Sequence, residues 1–342
     1  MAPIKVAVLD DYHNLYPSEI ARLPSSEFEA SYFPETLLPF DHADTPESVK
    51  EELVERLKPF TVISSIRERT PFLRSLLEQL PNLKLLQSTG GRNKGIDLDA
   101  AKRLGIRVAG TTGEGRTDEP KPANVKKGPD STTQHAVTLI LALARNIAGD
   151  DKNIKAGVAA WQTGLTTGLA GKTLGVVGLG RLGVNVAKIM YTAFGMRVIA
   201  WSANLTQDAA DQKAIEAGLP VDDPEIGEKT FKAVSKEELF QTADVVSLHY
   251  VLSDRSRGVV SSKELALMKP SAFFVNTSRG PLVVEKDLLE VVKTGQIRGV
   301  ALMCMILSLC LKAANGEIQT GARKERAESC SLLTRRTLRR QS

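Results

Sequence analysis

Residues 171–183 read Gly-Lys-Thr-Leu-Gly-Val-Val-Gly-Leu-Gly-Arg-Leu-Gly, and this stretch decides the fold. Thr173 to Val177 is a short, β-branched apolar run, the signature of a buried strand. It leads into Gly178-Leu179-Gly180-Arg181-Leu182-Gly183, then into Val184, Val186, Ala187 and Ile189 at helical spacing. A bare G-x-G-x-x-G says little, but one set between a strand and an apolar helix is a specific signal. Gly178 allows the tight turn, Gly180 lets a pyrophosphate approach the backbone, and Gly183 lets helix and strand pack closely. The N-terminus of the following helix then offers amide N–H groups and a partial positive charge to phosphates. The plainer alternative is a strand-to-helix turn with no ligand.

Outward from that motif, strands and helices alternate on both sides. Toward the N-terminus, Ile4 to Leu9 is a strand ended by Asp10-Asp11. Thr45-Pro46 and Thr70-Pro71 read as helix starts, each with a capping side chain and a proline at the first helical position. Thr61 to Ile66, Leu83 to Leu86 and Ile106 to Ala109 are further strands, and Asp97 caps a helix that stops at Gly105. Residues 111–130 hold three glycines and three prolines without apolar periodicity, which leaves a junction, a lid or disorder open. Ser131-Thr132-Thr133-Gln134 reads as a capping box, opening a helix with Val137, Ile140, Leu141, Ala144 and Ile147 on one face. Beyond the glycine motif, Arg197 to Trp201, Ala243 to Leu248, Ala272 to Thr277 and Ile297 to Leu302 read as strands, with a helix through Leu288 stopping at Gly295. This alternation means parallel, doubly wound sheets, divided as residues 1–130, 131–302 and a divergent tail, 303–342.

Charge separates that tail from the rest. Residues 303–342 carry eight Lys/Arg against three Asp/Glu, whereas the first 302 residues carry 37 of each. Cys304, Cys310 and Cys330 all fall in the tail, without ligand spacing or histidines for a metal, and no proline or aromatic does. Its arginines therefore do not make this a nucleic-acid binder, and the tail is either an interaction segment or sequence not selected to fold. No apolar run approaches the ~20 residues of a membrane span, and no leader precedes the first strand, so a cytoplasmic protein is expected.

Two positions carry further chemistry. Arg279 follows a strand's carboxyl end, where open α/β sheets place ligands, and its planar fork suits a carboxylate or a structural ion pair equally. Asn276, Thr277 and Ser278 either contact a ribose or finish the strand. After the second strand of the motif domain the chain reads Trp201-Ser202-Ala203-Asn204, where a site specific for NAD usually carries an acid. With neither acid nor arginine at Ser202, NAD and NADP both stay open.

Taken together, these motifs resemble the D-isomer-specific 2-hydroxyacid dehydrogenase family. The resemblance rests on Gly178 to Gly183, on Ala243-Asp244-Val245-Val246-Ser247-Leu248-His249, and on Met268-Lys269-Pro270 through Asn276-Thr277-Ser278-Arg279-Gly280. Leu85 to Gly91 and the helix from Ser131 to Asn146 extend it, and it spans Ile4 to Leu302. It implies a flavodoxin-like substrate domain beside a Rossmann NAD(P)-binding domain, usually paired as a homodimer. It implies reversible hydride transfer between NAD or NADP and a small 2-oxo or D-2-hydroxy acid. Arg279 would hold the substrate, assisted by the backbone N–H groups of Gly90 and Gly91. Gly178, Leu179, Gly180, Arg181, Leu182 and Gly183 would hold the dinucleotide, with Ser202 near its ribose, His249 and Tyr250 near its adenine, and Thr277 and Ser278 beside the nicotinamide half. The family's proton donor is a histidine, oriented by a carboxylate and placed after the strand that ends here at Leu302. The four histidines of this chain are His13, His42, His135 and His249, and none stands at that position. The resemblance therefore implies either a dehydrogenase whose end differs from the one written here, or a non-catalytic NAD(H)-binding regulator.

Overall fold

The structure, a computed structural model, describes residues 2–303 apart from 12, 13, 15, 44, 67, 91, 92, 94, 112–127 and 163. Gly91, His13, the three cysteines, most of the stretch read as a junction or lid, and the tail from residue 304 thus lie outside the described residues. The chain divides into two compact units between residues 125 and 126.

The first unit runs β1 (Ile4–Leu9), α1 (Tyr16–Ile20), β2 (Phe28–Phe33), α2 (Glu47–Leu57), β3 (Val62–Ser65), α3 (Arg74–Leu77), β4 (Leu85–Ser88), α4 (Leu98–Arg103) and β5 (Arg107–Gly110). Its five strands are parallel in the order β2-β1-β3-β4-β5, the doubly wound flavodoxin-like order. Leu53 and Leu57 of α2, Leu76 and Leu77 of α3 and Ala100 and Ala101 of α4 pack with Ile63 and Leu86 of the central strands. Asp97 caps α4, its side chain accepting from the Ala100 amide at 2.9 Å, as expected.

Both Thr-Pro helix starts are corrected. Pro46 stands at the N-cap of α2, and the Thr45 hydroxyl donates instead to the Pro39 carbonyl at 2.7 Å. At Thr70-Pro71 no helix begins. The Thr70 hydroxyl donates to the buried Asp10 carboxylate at 3.0 Å, Phe72 pairs with Ile96, and α3 starts only at Arg74. In both cases a tertiary partner outcompetes the local backbone for the threonine hydroxyl. The edge strand β2 has no counterpart in the sequence reading, because Phe28–Phe33 buries none of its residues deeply and so shows no apolar run.

The second unit runs α5 (Ser131–Ala144), α6 (Ile147–Lys155), β6 (Thr173–Val177), α7 (Arg181–Phe194), β7 (Arg197–Trp201), α8 (Gln207–Glu216), β8 (Phe231–Ala233), α9 (Lys236–Thr242), β9 (Val245–Leu248), α10 (Ser262–Leu267), β10 (Phe273–Asn276), α11 (Glu285–Thr294) and β11 (Gly299–Leu302). The order β11-β10-β9-β6-β7-β8, parallel throughout, is that of a Rossmann sheet with β6 as its first strand. Alternate residues of each strand feed two cores. Val176, Val198 and Val275 meet α5 and α7 on one face, while Val177, Val246 and Phe274 meet α9, α10 and α11 on the other.

Two boundaries around α5 differ from the expected ones. Its cap is Asp130, whose carboxylate accepts from the Thr133 amide at 3.1 Å, rather than a box opened by Ser131. Asn146, at φ 54°, breaks the helix, so Ile147 begins α6 and is 52% exposed instead of extending the apolar face. Short β8 and helices α8 to α10 complete the Rossmann pattern and were not visible as apolar runs.

Candidate functional site

In the second unit β6 lies between β7 and β9, and β9 lies beside β10. The connections leaving β6, β7, β9 and β10 therefore emerge side by side at the carboxyl edge, around the point where strand order reverses. Open parallel sheets bind ligands there.

The turn leaving β6 explains its glycines. Gly178 has φ +99°, and a Cβ on it would lie 2.8 Å from the His249 carbonyl oxygen. A Cβ at Gly183 would lie 2.1 Å from the Gly178 carbonyl oxygen, so α7 can approach the turn only as it does. At Gly180 a Cβ would meet nothing within 4 Å. Its absence leaves the backbone bare at the N-cap of a 14-residue helix, whose first intrahelical bond runs from the Val184 amide to the Gly180 carbonyl at 2.8 Å. The first-turn amides of Arg181, Leu182 and Gly183 have no intrahelical carbonyl to bond and point outward from the helix end. A pyrophosphate fits this arrangement on backbone grounds alone. Leu179 is buried in the core, and the Arg181 guanidinium turns to Asp130, 2.9 Å away.

On the β7 side, half-buried Ser202 accepts from the Leu205 amide through its backbone carbonyl at 3.1 Å. Tyr250 reaches over from the end of β9. Its ring stacks on Trp201, with centroids 5.8 Å apart and planes 14° from parallel, and its hydroxyl accepts from the Ala203 amide at 3.1 Å. Lys236 holds its ammonium 5.5 Å from the Trp201 ring centroid. His249 lies with its Nε2 2.8 Å from the Ser247 hydroxyl, and its buried Nδ1 finds no hydrogen-bond partner among the described residues. Burial pushes its pKa down to about 4, so the ring is neutral across the physiological range. The residues expected near an adenine thus differ in kind: Tyr250 forms part of the surface, while the His249 ring is tied to Ser247.

The turn leaving β10 carries Thr277, Ser278 and Arg279. Asn276, fully buried, accepts from the Ser278 amide through Oδ1 at 2.9 Å and donates through Nδ2 to the Arg279 carbonyl at 3.1 Å. The Ser278 hydroxyl donates to the Leu248 carbonyl at 2.9 Å, fastening the turn to β9. Arg279 donates through Nη1 to the Ser278 carbonyl at 3.0 Å. The Thr277 hydroxyl is buried with no partner among the described residues, a polar atom left for a ligand at this edge.

Gly90 belongs to the first unit, at the end of β4, with φ +97°. Its amide donates to the Thr111 hydroxyl at 2.8 Å. Among the described residues no group of three or more His, Cys, Asp or Glu is placed to hold a metal ion, and no helix is long and apolar enough to cross a membrane. Sequence reasoning missed the clamp formed by Asn276, the Trp201–Tyr250 stack and the Asp130–Arg181 pair. The first had a signal, since an asparagine at a strand end followed by two polar residues favours a side-chain-closed turn.

Comparison with known proteins follows the same division. Residues 20–116 match the family model for the D-isomer specific 2-hydroxyacid dehydrogenase catalytic domain, and residues 137–304 match the model for the NAD binding domain of the same family. The hydroxypyruvate reductase of Thermotoga maritima is 30% identical over 255 residues, 74% of this chain and 72% of that protein. The D-3-phosphoglycerate dehydrogenase of Methanocaldococcus jannaschii is 34% identical over 74% of this chain, but the match spans only 43% of that longer protein. A phosphoglycerate oxidoreductase structure from Vibrio cholerae superposes with a TM-score of 0.67 at 32% identity, covering 88% of this chain and 84% of that one. With both domain models matched in order and the glycine turn built as described, the chain belongs to the D-isomer specific 2-hydroxyacid dehydrogenase family.

Proposed function

We propose that this chain binds a nicotinamide dinucleotide at the β6–α7 turn and a small 2-oxo or 2-hydroxy acid at Arg279. The observation that carries the reading is the turn itself: bare backbone at Gly180, at the N-terminus of α7, between two glycines whose side chains would clash. The bound nicotinamide supplies or accepts the hydride. The protein's part is to bind, orient and hold charge. First-turn amides of α7 meet the pyrophosphate, the Trp201–Tyr250 face lies on the adenosine side, and the buried Thr277 hydroxyl serves the nicotinamide half. The Arg279 fork fixes the carboxylate and polarises the neighbouring carbonyl.

Ser202 leaves the ribose position without a carboxylate that would repel a 2′-phosphate, so NADP is accepted beside NAD. A second copy of the chain is the proposed partner. Ile147, Ile154, Val158, Trp161 and Leu165 are exposed on and just after α6, an apolar stretch suited to a homodimer contact.

The same chemistry limits the rate. No histidine follows His249 in these 342 residues. His249 itself is tied to Ser247, with a pKa near 4, and is not poised to deliver a proton at neutral pH. General acid catalysis contributes roughly 10²–10⁴-fold. A second reading therefore stands on the histidine inventory, that of an NAD(H)-binding regulator without turnover. Mixing the purified 342-residue chain with NADH and glyoxylate or hydroxypyruvate separates the two. Oxidation of NADH supports the dehydrogenase, and binding without oxidation supports the regulator. Absence of NADH binding removes both.

A further inference from the structure

We infer that Asn276 is a positioning residue for Arg279, setting the direction in which the guanidinium meets an anion. The inference rests on the reading of Arg279 as the anion-holding residue. The carbonyl that receives Arg279 Nη1 is that of Ser278, at 3.0 Å. The orientation of that carbonyl is fixed by the two peptide units on either side of it. Asn276 grips both, accepting from the Ser278 amide at 2.9 Å and donating to the Arg279 carbonyl at 3.1 Å. One fully buried side chain thus aims the carbonyl on which the arginine leans. The backbone amide of Met303 donates to the Asn276 carbonyl at 3.0 Å, and the Ser278 hydroxyl holds the Leu248 carbonyl at 2.9 Å, so the clamp is anchored to strands on both sides. Holding the peptide units on both sides of the Ser278 carbonyl gives the arginine a fixed base, and a bidentate fork is effective only when its plane is held.

The test reads anion binding rather than turnover. Oxalate, a planar dianion of the size of a 2-oxo acid, is titrated into the full chain saturated with NADH and followed by nicotinamide fluorescence. Arg279→Gln is expected to raise the oxalate dissociation constant about thirtyfold, and Asn276→Ala about tenfold, each variant being held at NADH saturation fixed by its own titration. Because Asn276 acts through Arg279, the double variant N276A/R279Q is expected to bind oxalate no more weakly than R279Q alone. Asn276→Asp gives a second route if N276A does not fold, since it keeps the acceptor for the Ser278 amide and loses the donor to the Arg279 carbonyl. It too should weaken oxalate binding in the wild-type background and leave the R279Q background unchanged. Oxalate affinity within twofold of wild type in a folded Asn276 variant, or an equal loss in both backgrounds, overturns the positioning role. An R279Q variant that binds oxalate normally overturns it as well, and in that case the assignment of Arg279 itself is what failed.

Discussion

Glycines 180 and 183 are chemically identical and three residues apart, yet opposite consequences follow from adding a methyl group to each. At Gly183 the new carbon would sit 2.1 Å from a backbone oxygen, which cannot yield as a side chain can. Gly183→Ala should cost about 2 kcal/mol or more in urea unfolding and abolish NADH binding. At Gly180 the carbon meets open space at an unstrained φ of −86°, so Gly180→Ala should change stability by less than about 0.5 kcal/mol. NADH affinity should nonetheless fall about tenfold, because the methyl occupies the approach to the helix amides. Equal effects in the two variants would remove the phosphate site. His249 gives a prediction in pH. Its pKa is near 4 in the folded chain, lowered by burial from the ordinary 6.5. Between those values the unfolded chain takes up a proton that the folded chain does not, so stability falls as pH drops from about 6.5 toward 4. The contribution present above pH 6.5 is on the order of 3 kcal/mol. His249→Gln should flatten the decline of melting temperature between pH 7 and pH 5 relative to wild type, and an unchanged slope would count against it.

Secondary-structure elements show where sequence patterns carry information and where they do not. β6 was legible to the residue, and α7 by its apolar period, because propensity, glycine spacing and apolar period all agree there. The Asp97 cap was legible because its carboxylate accepts from its own helix, at the Ala100 amide. Thr45 and Thr70 misled because their hydroxyls are spent on Pro39 and Asp10, partners 6 and 60 residues away in sequence. β2 was illegible because an edge strand needs no apolar run, and β8 because it has three residues. Asp130 reads as loop in the sequence because its role is tertiary as well as local. Its carboxylate serves the Thr133 amide and hydroxyl, Asn185 and Arg181, joining the starts of α5 and α7. Asp130→Ala should destabilise the chain by about 1 kcal/mol in urea unfolding, the ordinary worth of a cap. Asp130→Asn, which keeps the cap but not the charge, should recover most of it. If Asn is as damaging as Ala, the exposed Arg181 pair is the larger share, contrary to the usual weakness of surface ion pairs.

At the scale of the whole molecule, two sheets of different strand order sit in one chain, and each was readable as doubly wound from the alternation of strands with helices. The carboxyl-edge positions of the glycine turn and of Arg279 were readable, because strand ends and turn residues mark them in sequence. Their supporting shell was less so: Trp201 and Tyr250 meet from strand ends distant in sequence, while the Asn276 clamp closes over its own turn and had only a local signal. The apolar surface after α6 makes a prediction of assembly. Sedimentation should give twice the mass of the chain, and Ile154→Glu with Leu165→Glu should give the single chain with NADH binding retained. A wild-type chain that sediments as a monomer would remove that contact.

The stacked pair at the end of β7 also has an optical consequence. The chain contains two tryptophans, and Trp201 lies against Tyr250, whose ring edge passes close over Gly178. Trp161→Phe leaves Trp201 as the sole indole emitter, beside the turn proposed to receive the dinucleotide. Its emission should be quenched as NADH is added, by energy transfer to the nicotinamide, and should respond to oxidised NAD through the changed polarity around the ring. The protein therefore carries its own unlabelled fluorimeter for the site, and the titration curves of every variant above can be read from one intrinsic signal.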